Sequence, residues 1–325
     1  MASIYRTITT RGKNKRRKCF CLFFTALLLF TLTGCSKQLP EPEEEISRAE
    51  EQLPGKNKNQ PEQDHADDID TEREPEESDS DGRVTMSQLM GNDTGESLEG
   101  FDTPDTVLWF NATYAPLTYS NGANWRLVGG LVPNDTNARL TSLGLEYSWN
   151  IEDRESALEQ IEWLREEGHR ATWRKYLDEM EELGWLDLGP EEFADALMES
   201  GKEENLFRYI MVYSFYQEGE DEESITAWDL VRINQLYGDF YVCGYMTYEE
   251  AMDASLENSL ILQEMYDSWD EMMASYLLGY EFWQSDPMMD DDSPTVQRYG
   301  YYEKLLKMED GPYTLDWDME LKKEW

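Results

Sequence analysis

The chain reads as all-α: a compact single multi-helix domain of about seven to nine helices over residues 101–325, after a disordered acidic tether. Three observations predict this class. Beyond Phe101, apolar residues recur at helical rather than alternating spacing. The periodic segments open on helix-start signals and close on glycine. Strand signals reduce to the run Phe240-Tyr241-Val242, and no repeat of 20–50 residues is evident.

Taken in order, Thr103-Pro104-Asp105 supplies an N-cap, a proline at the first helical position and an acid in the first turn, for a helix to about Tyr114 that Pro116 ends. Gly129-Gly130 and Pro133-Asn134-Asp135 punctuate a loop before a short helix from Thr136 to Leu145, closed by Gly144. Asp153 caps an amphipathic helix over 154–167, with Ala157, Ile161 and Leu164 on its inner face and Gly168 as its stop. Residues 170–183 form another, ended by Gly184. Pro190 to Met198 forms a third, and Leu206, Ile210 and Tyr213 mark a fourth. A central helix over 224–237 ends at Gly238. Thr247 with Glu250 is a capping box for a helix from Tyr248 to Tyr266, and Ser268 with Glu271 repeats the signature. The helix after it carries Trp269, Met272, Met273, Tyr276, Tyr280 and Trp283 in one stripe, which reads as core or helix contact. An acidic loop, Pro287 to Pro294, precedes a last helix to Lys307 and a tryptophan-bearing tail.

The N-terminus has its own grammar. Residues 1–35 hold seven Lys/Arg and no acid, clustered in Lys13-Asn14-Lys15-Arg16-Arg17-Lys18, before an apolar run from Cys19 to Leu32 and then Thr33-Gly34-Cys35. A basic region, an apolar core of about 14 residues and a small-residue cleavage site make a secretory signal over 1–34, short against a membrane span of roughly 20 residues. Leu32-Thr33-Gly34-Cys35 resembles the bacterial lipoprotein box. That resemblance implies cleavage behind Gly34, diacylation of the Cys35 thiol, and a lipid-anchored protein on the extracytoplasmic face of the cell membrane. Residues 35–100 are dominated by Glu, Asp, Gln, Asn, Pro and Ser, contain little to bury, and read as a disordered acidic linker in which His65 is a solvated bystander. Of the four cysteines only Cys243 remains in the folded part, so a disulfide framework and a thiolate metal cluster are both excluded. Cys243 itself reads as a small buried hydrophobe.

The formal charge is −41, and beyond residue 35 there are 21 basic and 69 acidic residues, a net −48. Such a surface keeps a secreted protein soluble and repels nucleic acid; it favours a basic protein partner.

The central stretch is Ala227-Trp228-Asp229-Leu230-Val231-Arg232. Helical spacing puts Ile225, Trp228, Asp229, Arg232 and Leu236 on one face, with Leu230, Val231 and Ile233 making the others apolar. Buried charge must be paired and hydrogen-bonded, so Asp229 and Arg232 are expected to be partnered. The ordered set Trp149-Asn150-Ile151, Gly168-His169-Arg170, Ala227-Trp228-Asp229-Leu230-x-Arg232, Gly244-Tyr245-x-x-x-Glu249-Glu250-Ala251, Ser268-Trp269 and Gly279-x-x-Phe282-Trp283 resembles a bacterial domain-of-unknown-function family, number 1266. The resemblance covers roughly Asp105 to Trp325. It implies a compact helical domain and brings no established activity, substrate or catalytic residue. The family tends to place glycine where this chain has Asn150, a residue that tolerates left-handed backbone.

Catalytic signatures are scarce. His169 is the one histidine of the folded part, which excludes a multi-histidine zinc site, and its place after Gly168 reads as a helix-end cap. No phosphate loop, nucleophile elbow or His-Glu-x-x-His pattern occurs. The aspartates at 286 and 290–292 lack the spacing of a calcium loop, so no metal or cofactor is called for. The structural or binding site is expected among Trp149, His169, Trp228, Asp229, Arg232, Trp269, Tyr276 and Trp283. The leading expectation is a membrane-anchored protein-interaction or binding module. The rival is a small-ligand receptor or enzyme with its site near Asp229 and Arg232, which requires Arg232 to be reachable from outside.

Overall fold

The computed structural model describes residues 103–285 and 293–325. The signal segment, Cys35, the acidic linker and most of the acidic loop after Ser285 lie outside the described residues. Those described are all-α, as the periodicity predicts, with eleven α-helices and no strand among them. They are α1 (Asp105–Thr113), α2 (Ala115–Ser120), α3 (Asp135–Trp149), α4 (Arg154–Glu166), α5 (Gly168–Glu182), α6 (Pro190–Glu199), α7 (Leu206–Gln217), α8 (Thr226–Cys243), α9 (Tyr248–Met265), α10 (Trp269–Gln284) and α11 (Pro294–Leu306).

Helix α8 is the axis of the domain. It is apolar on most faces and packs against α1, α3, α4, α5, α9 and α10. Of its eighteen residues, Trp228, Leu230, Val231, Ile233, Leu236, Tyr237, Phe240 and Val242 are all buried. The helix runs past Gly238 to Cys243, so Phe240-Tyr241-Val242 is helical rather than extended, and it stops at Gly244, where φ is 83°. Gly238 is inside the helix because the turn at Gly129 packs onto it: a Cβ at Gly238 would stand 2.7 Å from the Gly129 nitrogen. The glycine there serves close approach of two backbones, not helix termination.

A second apolar cluster gathers α5, α6, α7 and the end of α10 around Trp173, Phe193, Tyr213 and Phe282, with Phe193 and Tyr213 stacked at 3.9 Å. The C-terminal tail straps the main core. Trp317 donates from Nε1 to the Tyr266 carbonyl (2.8 Å), while Trp109 and Trp269 donate to the carbonyls of Trp317 (3.2 Å) and Leu315 (2.9 Å). These three indoles pack with ring centroids 4.8–5.1 Å apart. Trp269 therefore belongs to this strap.

The caps expected at Asp153, Thr247 and Ser268 form, each side chain accepting from the backbone N–H three residues on. Others differ. Thr103 turns its hydroxyl to the Arg126 carbonyl, leaving Pro104 as the cap of α1. Pro116 sits in the first turn of α2, where its missing N–H costs nothing. Gly144 lies within α3, which continues to Trp149 and ends on Asn150 in the left-handed region at φ 55°.

Candidate functional site

Helix α8 carries Asp229 completely buried. Its carboxylate does not face Arg232. Both of its oxygens accept from the His169 backbone N–H, at 3.0 and 3.1 Å. Oδ1 also meets His169 Nδ1 at 2.6 Å, and Oδ2 accepts from Arg170 Nε at 3.2 Å. The expected partnering of Asp229 with Arg232 is thus replaced by a triad of donors from α5, sixty residues earlier in the chain. The reason lies in the α4–α5 junction. The residue preceding α5, Glu167, provides no side-chain cap. Asp229 supplies that cap from across the fold, its negative charge against the positive end of the helix.

Gly168 makes this possible twice over. It turns the chain at φ 57°, a left-handed conformation costly for other residues. A Cβ there would also overlap the Asp229 carboxylate. Arg170 completes the joint by donating from Nη2 to the carbonyls of Leu164 (3.2 Å) and Arg165 (2.7 Å), the free carbonyl end of α4. His169 is therefore no carbonyl cap. Its ring lies edge-on to Trp163 and Trp228, at 5.4 and 5.6 Å. Because the carboxylate accepts only, Nδ1 donates and Nε2 is left as the free ring nitrogen. No hydroxyl or thiol among the described residues hydrogen-bonds that nitrogen.

One turn along α8, Arg232 follows a different rule. Its guanidinium lies 4.5 Å over the Trp149 ring and 5.1 Å over Trp228. Nε is sealed from solvent with no acceptor, and so is Trp228 Nε1. Burial pushes the Arg232 guanidinium down to about 10, and the nearby Arg298 charge pushes the same way against the polar oxygens of Tyr276, Asp239 and Tyr280. Arg298, from α11, donates to the Tyr276 hydroxyl at 3.2 Å and lies 4.7 Å over the Tyr280 ring. No carboxylate among the described residues forms an ion pair with either guanidinium. Trp228 organises the aromatic side of the cluster, touching Tyr276, Tyr280 and Trp283 at 5.3, 5.5 and 5.8 Å. It lies this close to α10 because Gly279 has no Cβ to collide with it. Trp283 is 46% exposed and forms the outer edge, while Arg208 fixes the end of α10 through the Phe282 and Trp283 carbonyls.

Further along α8, Gln235 Nε2 donates to Asp239 Oδ2 at 3.1 Å. Burial raises the Asp239 carboxyl to about 7, against the opposing pull of Gln235 and Arg232. Cys243, near the end of the helix, has its thiol pushed up to about 11 by burial, which suits packing rather than nucleophilic attack.

Of the residues singled out by sequence, Trp149, Trp228, Arg232, Tyr276 and Trp283 come together. His169 and Asp229 form the adjoining joint behind Trp228, and Trp269 is elsewhere. Sequence reading passed over Arg170, Tyr280 as a site residue, and Arg298. Arg170 could have been found from its place beside His169 in the Gly-His-Arg motif. Arg298 stands on a polar face of α11 with no local signal of its destination.

The architecture defines a helical domain with a trans-capped central joint beside an aromatic cluster holding two guanidinium groups. The chain belongs to the family described as protein of unknown function (DUF1266), whose profile matches residues 144–317. Two relatives from Escherichia coli (strain K12) carry similar sequence. The uncharacterized protein YbeR is 26% identical over 155 residues, covering 48% of this chain and 62% of the relative. The uncharacterized protein YbeU is 28% identical over 149 residues, covering 46% and 60%. The chain thus spans about three fifths of the length of these curated relatives. No solved structure matches.

Gly168→Ala forces the Asp229 carboxylate out of its seat; breaking a buried charge pair costs about 3–5 kcal/mol. At roughly 2–4 °C per kcal/mol for a domain of this size, Tm should fall by the order of 10 °C, and a melt within a degree of the parent would refute the packing. Asp239 carries the opposite sign from a salt-bridged acid. Its folded pKa lies above the usual unfolded value of about 3.9, so its contribution is intact below that pH and is lost as pH rises to about 7. Asp239→Asn should accordingly gain Tm relative to the parent between pH 4 and 7, with no further relative gain above it, as read by calorimetry.

Proposed function

We propose that this chain is a lipid-anchored, extracytoplasmic receptor that binds a small ligand at the cluster around Arg232. Cleavage behind Gly34 and diacylation of Cys35 would hold it at the cell membrane, with the acidic segment after Cys35 as the spacer. The observation that carries the ligand reading is Arg232: its side chain is only half-buried, and its Nε and the neighbouring Trp228 Nε1 have no acceptor among the described residues. Buried donors without acceptors are costly in a finished core and useful in a binding site. Catalysis finds less support. Asp229 is occupied by the α5 N-terminus and Arg170, and the free nitrogen of His169 has no nucleophile beside it. A protein-interaction module keeps one observation in its favour: Leu140, Leu143 and Tyr147 form an exposed stripe on α3, on a chain whose charge suits a basic partner.

The receptor reading is tested by tryptophan fluorescence, since Trp228 and Trp149 flank Arg232. Titration of the purified chain with a small-metabolite panel should find at least one compound that changes emission saturably, and Trp228→Phe should diminish that response. A panel with no binder, together with capture of a basic protein released by salt, would transfer the function to the interaction surface. Anchoring is tested separately by Cys35→Ser, which should move the protein from the membrane fraction to the soluble one and remove acyl label. Unchanged membrane attachment without acylation would overturn the lipid anchor.

A further inference from the structure

We infer that the Arg232–Arg298 cluster is a site for a phosphate monoester, its dianionic phosphoryl group held by the two guanidinium groups and its organic part against the aromatic rings. The inference rests on the receptor reading and adds the chemical class of the ligand. Among the described residues no carboxylate makes an ion pair with either guanidinium, and Asp239 acts on Arg232 only at a distance. The Arg232 guanidinium lies over the rings of Trp149 and Trp228, at 4.5 and 5.1 Å. Arg298 meets tyrosine, through the Tyr276 hydroxyl and the Tyr280 ring. Elsewhere in the domain, buried arginine is not left this way: Arg170 has the Asp229 carboxylate and two carbonyls. Two neighbouring, partly buried cations with no carboxylate in contact among the described residues form a site whose complement carries about two negative charges.

The donors set the class further. The unpartnered Trp228 Nε1 adds one directional N–H group to the guanidinium edges, of which Arg232 Nε is itself unpartnered. A carboxylate has two oxygens to offer such a set; a phosphoryl group has three, and planar guanidinium matches it in bidentate fashion. Everything polar left open at the cluster by Arg232 and Trp228 donates, which disfavours cations and hydrogen-bond donors as ligands. Around the charges stand Trp149, Trp228, Tyr280 and Trp283, with Tyr280 and Trp283 stacked 28° from parallel and Trp283 reaching solvent. A flat or apolar organic group would lie there.

The experiment is calorimetric titration of the full chain with phenyl phosphate, inorganic phosphate, benzoate and phenol. Phenyl phosphate should bind best, inorganic phosphate should compete with it, and benzoate should be weaker by about tenfold or more, given the smaller donor match. Arg232→Gln and Arg298→Gln should each remove binding, while Arg232→Lys should keep part of it. Because burial of Arg232 outweighs the groups that favour its charge, Arg232→Gln should also melt no lower than the parent, whereas a purely structural arginine would lower Tm. If Arg232→Gln fails to fold, Arg298→Gln carries the binding test. Equal binding of benzoate or phenol would overturn the phosphate class while leaving a small-ligand receptor in place. Absence of binding by all four probes would overturn the inference, and the metabolite panel would then decide the receptor reading by itself.

Discussion

The structure depends on satisfying one buried carboxylate. Asp229 has no water to solvate it, so the fold must deliver donors to it, and it does so with the start of α5. That single requirement fixes several others. The chain must turn at Gly168 without a side chain, His169 must present its N–H and its ring together, and Arg170 must bridge back to the end of α4. Helix dipole and ionic attraction point the same way, so the joint between α4, α5 and α8 is held by mutually reinforcing terms rather than by apolar packing alone.

Three residues on, the same helix treats Arg232 in the opposite manner. Desolvation there is opposed by ring faces, each worth about 0.5–2 kcal/mol to a cation, by the tyrosine oxygens and by the Asp239 carboxyl at a distance, but by no carboxylate in direct contact among the described residues. The contrast between two charges on adjacent turns separates their roles. A charge fully satisfied by its own chain is a structural part; a charge left short of a partner, near an exposed indole edge, is available to a ligand. Trp228 stands between the two, touching His169 on one side and the Arg232 cluster on the other.

Legibility in the sequence followed the range of the interactions. Caps at Asp153, Thr247 and Ser268 were readable because acceptor and donor lie three residues apart. Asp229 was readable as buried and in need of partners, since helical spacing placed it among apolar residues. Who the partners would be was not readable, because an acid and a base three apart on one helix invite a local pair and tertiary contact decided otherwise. Gly238 and Gly144 misled for a related reason. Glycine marks either a helix end or a close approach, and only the neighbouring Gly129 backbone separates these at Gly238. Arg298 lay beyond reach altogether: it joins Arg232 through Tyr276 and Tyr280 of α10, a contact made only once α8, α10 and α11 have packed.

The ordered set of short motifs by which the chain resembles its family acquires a physical meaning from these contacts. Gly168 clears space for Asp229, and His169 and Arg170 hold it. Ala227, whose methyl group intrudes little, donates its backbone N–H to the Ser275 hydroxyl at 3.2 Å, which seats α10 against α8. Gly279 then admits Trp228, and Trp228 meets Trp283 at the rim. Asn150 ends α3 in the left-handed turn that glycine would otherwise make, and so leaves Trp149 over Arg232. Motif residues from Trp149 to Trp283 thus converge about Asp229 and Arg232 of α8. Most of them serve either to satisfy Asp229 or to surround Arg232, and a family defined by such positions is defined by a joint and the unsaturated site built upon it.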